Sequence, residues 1–455
     1  MMDWINKVNA FVWGWPTLIL LIGTGIYLTV RLRFLQLYTL PYALKLAFSP
    51  TRQDKRSTGD ISHFQSLMTA LAATIGTGNI VGVATAVTTG GPGAVFWMWI
   101  TALFGMATKY AEAILAVKYR VANNKGEMSG GPMYYIERGL GWKWLAVLFA
   151  LFGSIAAFGI GNMVQSHSVS SSLLELSGGA VPGWATGLVL TLLTGIVILG
   201  GIRSIGKISS YLVPFMAIFY ILGGIAVILL HIDKIPAAFA TIFSDAFTGH
   251  ALAGGALGAV IKAGVSRGLF SNEAGLGSAP IAAAAAKTDL PGRQALVSMT
   301  GTFLDTIVVC TITGLSIVLT GAYKEGLEGA PLTMAAFNSA LPTIGGWIVS
   351  LGLILFAYST ILGWSYYGEK CFTYLFSDKT KILYRLIFVL AVFVGSLQEI
   401  QVVWGISDTM NALMALPNLV GLILLSGVVV SETDAFRDQI RWEKMGIKKQ
   451  QQQSG

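Results

Sequence analysis

Two apolar stretches of this chain are interrupted by glycine and polar residues where a membrane helix should run straight through. One is Ala73-Thr74-Ile75-Gly76-Thr77-Gly78-Asn79-Ile80-Val81-Gly82. The other is Arg267-Gly268-Leu269-Phe270-Ser271-Asn272-Glu273-Ala274-Gly275-Leu276-Gly277-Ser278. Each lies in the middle of a segment long enough to cross a bilayer. Glycine costs about 1 kcal/mol relative to alanine in a helix interior, and each segment clusters several. Lipid offers no partner to freed N–H and C=O groups. Irregular backbone at that depth persists only where it lines a cavity inside the protein. Two such breaks, far apart in sequence, predict a binding site near the membrane midplane.

The composition supports the membrane reading. Hydrophobic residues are 54% of the 455 and charged residues only 11%, against about 25% charged in a soluble domain. The mean hydropathy is +0.68. The chain opens on a mature-looking segment, without the charged region and cleavage site of a signal peptide. Cys310 and Cys371 lie far apart in or beside apolar spans, which implies neither a disulfide framework nor a metal site.

Taking about 20 mostly apolar residues per crossing, the sequence predicts eleven spans. They are Phe11–Val30, Phe64–Val87, Ala94–Val117, Trp144–Leu174, Ala185–Gly201, Tyr211–Leu230, Leu252–Ala285 (broken), Ala295–Leu319, Gly345–Gly368, Leu383–Leu397 and Val402–Val430. Trp97, Trp99, Trp142 and Trp144 suit interfacial aromatic belts. Numbering the connections from an outside N-terminus leaves three basic residues outside, Lys7, Lys234 and Lys324. Twenty-four fall inside, and Lys109, Lys262 and Arg267 fall within spans. That asymmetry predicts the N-terminus outside and the C-terminus inside. The net charge of +8 thus orients the protein and does not indicate a nucleic-acid partner. Arg31 to Asp60 reads as a basic, partly amphipathic segment on the inner surface. The tail Gln450–Gly455 is of low complexity.

With the first span set aside, the first break falls in core helix 1 and the second in core helix 6. The core is then five helices plus five, each half led by a broken helix. A five-helix unit places the halves in opposite orientations, which is the inverted-repeat logic of secondary transporters. At each break, N–H groups of one half-helix suit a carboxylate, and carbonyls of the other suit a hard cation such as Na⁺. Gly91-Pro92-Gly93 and the glycines of Gly254–Gly258 read as packing or turn residues. Thr77, Asn79, Ser271, Asn272 and Glu273 serve no packing purpose in lipid. An enzyme would need an acid/base pair or metal cluster at one face. Four histidines and two separated cysteines argue against that. A channel would need pore elements repeated in an oligomer, whereas here the pseudo-repeat lies within one chain.

At these residues the chain resembles the alanine or glycine:cation symporter family, of the amino acid–polyamine–cation superfamily. The resemblance rests on Ala72–Gly82, on Gly90–Arg120 (GGPGAVFWMWITALFGMATKYAEAILAVKYR) and on Gly130–Tyr135 (GGPMYY). It extends through Gly159–Gln165 (GIGNMVQ), Arg267–Lys287 (RGLFSNEAGLGSAPIAAAAAK), Gly301–Thr313 and Gly363–Lys370 (GWSYYGEK). It implies an all-α polytopic membrane protein with the leucine-transporter fold. That fold is a 5+5 inverted repeat with discontinuous core helices 1 and 6, plus one N-terminal span. The division that follows is an N-terminal span and basic segment at 1–60 and a core at 61–430. The core has repeats near 61–230 and 251–430, and a cytoplasmic tail follows at 431–455.

The resemblance further implies a secondary active symporter in a prokaryotic cell membrane. It couples sodium to uptake of a small neutral amino acid, alanine or glycine, with no cofactor. The alternative is a proton-coupled carrier or one preferring glutamine or serine. The resemblance assigns Thr77, Gly78 and Asn79 to the substrate carboxylate, and Phe270, Ser271 and Asn272 to the amino group and pocket closure. Gln165 and Trp364 are further lining residues. Ala72 and Ile75, by their carbonyls, and Ser359 and Thr360, by their hydroxyls, form the sodium site. A cage without a carboxylate contains nothing that titrates near neutrality, which suits Na⁺.

The remaining polar residues of the spans read as follows. Glu273 either couples a cation or anchors the second break. Lys109 and Glu112, three apart on one helix face, are expected to pair. Asp305 pairs with a neighbour or contributes to a cation site. Lys262 and Arg267 snorkel or pair, Asp408 and Asn411 cap or bridge helices, and His167 is a packing residue.

Overall fold

The computed structural model describes residues 2–49, 57–123, 126–248, 257–398 and 401–444, and is helical almost throughout. Among the described residues, eight helices are long and apolar enough to cross a membrane. They are Asp3–Arg31, Ala94–Lys118, Lys143–Leu176, Gly201–Leu230, Pro291–Thr320, Gly345–Leu375, Asp378–Leu397 and Gln401–Leu424. His63–Thr74 and Gly78–Gly90 make a ninth as a pair bent by 54°. Two further stretches of the expected set are present in shorter form. One is the 17-residue apolar helix Gly183–Leu199. The other is the broken pair Leu257–Asn272 and Ala279–Ala284. Its expected first residues, 252–256, and most of Gly254–Gly258 lie outside the described residues, as does the tail 450–455. The stretch expected to end at Val430 ends at Leu424, and a further helix, Ser426–Lys444, follows.

Burial separates interior from periphery. In Ala94–Lys118, 83% of the apolar window is buried, against 33% in Gly201–Leu230. The latter turns Tyr211, Phe215, Ile218, Leu222 and Leu229 outward, and Asp378–Leu397 does the same with Leu386 and Leu390. An apolar face of that extent is the surface a lipid-embedded protein presents. Trp142 and Trp144 are exposed, as a belt requires. Trp97 and Trp99 instead point into protein. Their indole N–H groups donate to the Ala246 carbonyl (3.0 Å) and to Thr311 Oγ1 (2.8 Å). Cys310 and Cys371 are buried and free.

Two features fix where the broken helices start and stop. The first half-helix begins with a capping box: the Gln65 N–H donates to Ser62 Oγ and the Ser62 N–H to Gln65 Oε1, both at 3.0 Å. Just before it, the chain forms a parallel bridge between Ile61 and Ala286. There the Asp60 N–H donates to the Ala285 carbonyl (2.8 Å) and the Lys287 N–H to the Ile61 carbonyl (2.7 Å). Arg120 completes the clasp, donating to the carbonyls of Ala284, Ala286 and Thr58. Gly59 (φ +149°) is required there, because a Cβ would lie 2.5 Å from Ala286 backbone. The chain entering the first broken helix is thereby tied to the chain leaving the second.

A small hairpin, Val121–Ala122 with Met128–Ser129, ties this clasp to the neighbouring long helices. The Met128 N–H donates to Asp60 (2.8 Å), Lys370 donates to Ser129 Oγ (2.8 Å), and Lys381 pairs with Glu127 (2.5 Å). Beside it Arg385 grips buried Glu369 with two nitrogens, at 2.6 and 3.2 Å.

Candidate functional site

The first half-helix ends at Thr74, and Ile75 leaves it in an extended conformation. After Gly76 the chain re-enters as a π-turn, Gly78–Gly82, that continues into Val83–Gly90. Asn79 stitches this break from within: its Oδ1 accepts the Gly76 N–H at 2.9 Å. Thr77 and Gly78 begin the second half-helix, so their N–H groups have no partner within it. Opposite, the carbonyls that end the first half-helix face Gly345–Leu375. Ser359 Oγ has three carbonyls within reach of its single proton: Phe356 of its own helix (2.9 Å), and Ala72 (3.1 Å) and Ile75 (3.4 Å) at the break. A Cβ on Gly76 would lie 2.6 Å from Thr360 Oγ1, which places Thr360 against the same break.

The second break lies later than expected. Helix Leu257–Asn272 runs through Phe270, Ser271 and Asn272. The unwound backbone is Glu273–Ser278, with positive φ at Glu273 (+56°), Gly275 (+87°) and Gly277 (+86°). Glycine tolerates this region without penalty and glutamate does not, so Glu273 is held there by its contacts. Its carboxylate spans the break, accepting from Ser278 Oγ (2.5 Å) and Trp364 Nε1 (3.0 Å). A second buried acid, Glu112, steadies the same loop through the Gly277 N–H (3.2 Å) and Asn418 Nδ2 (2.7 Å). Asn418 also donates to the Gly275 carbonyl (2.9 Å) and accepts from the Tyr135 hydroxyl. Gly268, by contrast, is a packing residue: a Cβ there would lie 2.3 Å from Thr101 Oγ1.

A cavity opens between the breaks, lined by Ala73, Thr74, Gly76, Thr77, Gly78, Ile160, Gln165, Phe270, Glu273, Thr360, Trp364 and Asn411. It admits the centre of a water-sized sphere over about 20 Å³, room for little more than one water. Of the expected substrate residues, it brings together Thr77, Gly78, Gln165, Phe270 and Trp364. Of the expected sodium residues, it adds Thr360, with Ser359, Ala72 and Ile75 in mutual contact behind. Asn79, Ser271 and Asn272 turn elsewhere, to a fully buried cluster around Asp305.

In that cluster Asn79 Nδ2 donates to Asp305 Oδ1 (2.7 Å), and Ser271 and Thr306 hydroxyls donate to Oδ2 (2.9 and 2.7 Å). Asn272 Nδ2 donates to Thr306 Oγ1 (3.1 Å). Asp305 therefore joins both broken helices to Phe303–Cys310, a π-helical segment. A further π segment, Gly159–Met163, adjoins the cavity through Ile160. Its cause is visible: Ser407 inserts into the ladder, accepting the Ile160 N–H (2.8 Å) and donating to the Ala156 carbonyl (2.9 Å). Wide turns of this kind recur at functional sites.

The other polar residues resolve as follows. Lys109 and Glu112 do not pair. Lys109, Lys262 and Arg267 form no ion pair within 4.0 Å among the described residues. Asp408 bridges, accepting from Asn9 Nδ2 (2.7 Å) and, through its carbonyl, from Trp13 Nε1 (3.3 Å). Asn411 turns into the cavity instead of capping a helix. Among the described residues no cluster of three or more His, Cys, Asp or Glu could hold a metal ion.

The sequence model of the sodium:alanine symporter family matches residues 1–453. The chain is 62% identical over 442 residues to the sodium/alanine symporter AgcS of Methanococcus maripaludis, covering 95% of this chain and 97% of that protein. It is 53% identical over 444 residues to an uncharacterized transporter of Haemophilus influenzae, covering 96% of each. It is 38% identical over 444 residues to the probable sodium/glutamine symporter GlnT of Bacillus subtilis, covering 97% of this chain and 91% of that protein. A match of this depth along the whole chain, on a helical scaffold broken at both glycine clusters, places the protein: it belongs to the sodium:alanine symporter family.

Proposed function

We propose that the protein is a secondary active symporter of a prokaryotic cell membrane that couples sodium influx to uptake of alanine or glycine. The observation that carries the reading is the first break. Its free N–H groups at Thr77 and Gly78 adjoin the cavity, while the carbonyls of Ala72 and Ile75 lie against the Ser359 hydroxyl on its far side. An anion and a cation bound there sit back to back on one short loop. Each favours the same arrangement of the two half-helices, which couples them.

In this reading Thr77 and Gly78 take the carboxylate, and Gln165, Phe270 and Trp364 bound the side chain. Ala72, Ile75, Ser359 and Thr360 hold sodium, with the Ser359 hydroxyl turning its lone pair inward. Asn79, Ser271 and Asn272 act behind the pocket through Asp305. The chain crosses the membrane eleven times, N-terminus outside, as an inverted repeat of five plus five spans after one leading span. The segment 1–60 precedes the core 61–430, and 431–455 is the cytoplasmic tail.

The 62% relative supports alanine, and the small cavity walled by Phe270 and Trp364 favours a short side chain. The 38% relative named for glutamine supplies the rival substrate. Reconstituted protein with radiolabelled alanine separates the readings. Uptake is expected only with an inward sodium gradient. Equal flux without one removes the symport reading, a proton gradient that substitutes fully removes sodium, and preferential block by glutamine removes alanine. Phe270→Ala and Trp364→Ala are expected to relax exclusion of leucine by roughly tenfold, the scale of one or two methylenes of pocket space. Unchanged leucine competition in both variants would sink the assignment of size selection to these rings.

A further inference from the structure

An amino acid brings three N–H donors on its ammonium group, and each needs an acceptor when buried. Ser271 and Asn272, the nearest polar residues on the second broken helix, are committed elsewhere. The Ser271 hydroxyl donates to Asp305, and Asn272 donates to Thr306 and accepts the Ala274 N–H (3.0 Å). Gln165 and Asn411 nevertheless line the cavity, and each carries a buried side-chain carbonyl, Gln165 Oε1 and Asn411 Oδ1, with no hydrogen-bond partner among the described residues. Their residues are 3% and 2% exposed. Buried polar atoms in native proteins are nearly always paired, and an orphan calls for a specific partner.

The orientation of Gln165 is fixed at its other end. Its Nε2 donates to the Ile160 carbonyl (3.0 Å) and toward Thr77 Oγ1 (3.4 Å), so the carbonyl is the end left free. Asn411 is placed by Ser407, one turn earlier on the same face of Gln401–Leu424. Ser407 is wedged into the π segment at Ile160, and Asp408 between them is held by Asn9 and Trp13. The helix is thus pinned within the turn that precedes the residue lining the cavity. Glu273 supplies a third acceptor in the same lining, with lone pairs beyond those taken by Ser278 and Trp364.

We propose that Asn411, with Gln165 and Glu273, receives the ammonium group of the transported amino acid. This makes the tenth core helix a part of substrate recognition. The assignment rests on the symporter reading above and adds a residue to it. The three acceptors come from three different elements, so binding the ammonium draws Gln401–Leu424 and the third core helix toward the second break. An amine-lacking analogue would bind the N–H groups of Thr77 and Gly78 without that effect.

The test uses full-length reconstituted protein and alanine, with lactate, the hydroxyl analogue, as competitor. Asn411→Leu removes the acceptor at similar volume. It is expected to raise the KM for alanine about tenfold or more, the scale of one hydrogen bond to a charged group. Half-saturation by sodium at saturating alanine should stay unchanged, and discrimination between alanine and lactate should shrink. Asn411→Asp keeps an acceptor and is expected within about threefold of wild type. A wild-type KM in Asn411→Leu, or equal loss in the leucine and aspartate variants, overturns the proposal. Should Asn411→Leu not fold, Asn411→Ala is read by the same criteria. Wild-type protein without sodium-driven alanine uptake would instead overturn the symporter reading itself.

Discussion

Asp305→Ala is expected to abolish uptake, to the level of liposomes without protein. The carboxylate accepts from Asn79 on the first broken helix, Ser271 on the second and Thr306 on its own segment, and it is fully buried. Hydrogen bonds to a charged group are worth about 1.5–3 kcal/mol each, and within one network they do not add simply. Removing the shared acceptor leaves three buried donors facing an apolar methyl. Asn79 is the more damaging loss, because its other end holds the Gly76 N–H and so fixes the loop that carries the cavity's own N–H groups. Asp305→Asn retains one acceptor oxygen but turns a donor toward two donors. It is expected to keep the fold while losing about tenfold or more in uptake. Thermal unfolding in detergent, measured beside uptake, separates the two effects. Wild-type uptake in Asp305→Ala would show that the cluster is only a packing detail.

This cluster also marks where sequence reasoning stopped. The breaks were legible because glycines and amides in mid-span violate what lipid tolerates, and that violation is local. The long spans were legible for the same reason. What a break faces depends on partners brought from far along the chain. Asn79 meets Asp305 across 226 positions, and Glu112 meets Asn418 across 306. Helical spacing put Lys109 and Glu112 on one face and suggested a pair. Instead the loop at Gly277 and the amide of Asn418 take one oxygen of the glutamate. Its other oxygen has no hydrogen-bond partner among the described residues, and Lys109 does not come within ion-pair distance. The glycines of the second segment looked alike in sequence. Gly268 lets two helices touch, whereas Gly275 and Gly277 allow positive φ, so the unwound stretch begins after Asn272. Asn411 carried no signal by itself. Its pairing one turn on from Ser407 becomes informative only once Ser407 is found inside another helix.

The first break gives a sharper case, because two of its glycines predict opposite outcomes. Gly76→Ala is expected to weaken apparent sodium affinity by about tenfold or more, whereas Gly82→Ala is expected within about twofold of wild type. Neither residue has positive φ, so alanine is tolerated by the backbone at both, and in a helix it is even favoured by about 1 kcal/mol. The difference lies in what the new methyl meets. At Gly82 there is nothing within 4 Å, and at Gly76 the methyl would lie 2.6 Å from Thr360 Oγ1. That hydroxyl donates to the Phe356 carbonyl at 2.9 Å and has little freedom to yield. Either the hydroxyl rotates out of the cage proposed for sodium, or the loop shifts and carries the Ile75 carbonyl away from Ser359. Both remove a ligand from the cation and leave the N–H groups of Thr77 and Gly78 largely in place. Alanine affinity at saturating sodium should therefore fall less than sodium affinity at saturating alanine. The double variant Gly76→Ala/Thr360→Ala relieves the clash without restoring the hydroxyl. If its sodium affinity stays as low as in Gly76→Ala, Thr360 acts as a ligand. If it returns to wild type, Thr360 is only a neighbour, and the cation is held by Ala72, Ile75 and Ser359 alone.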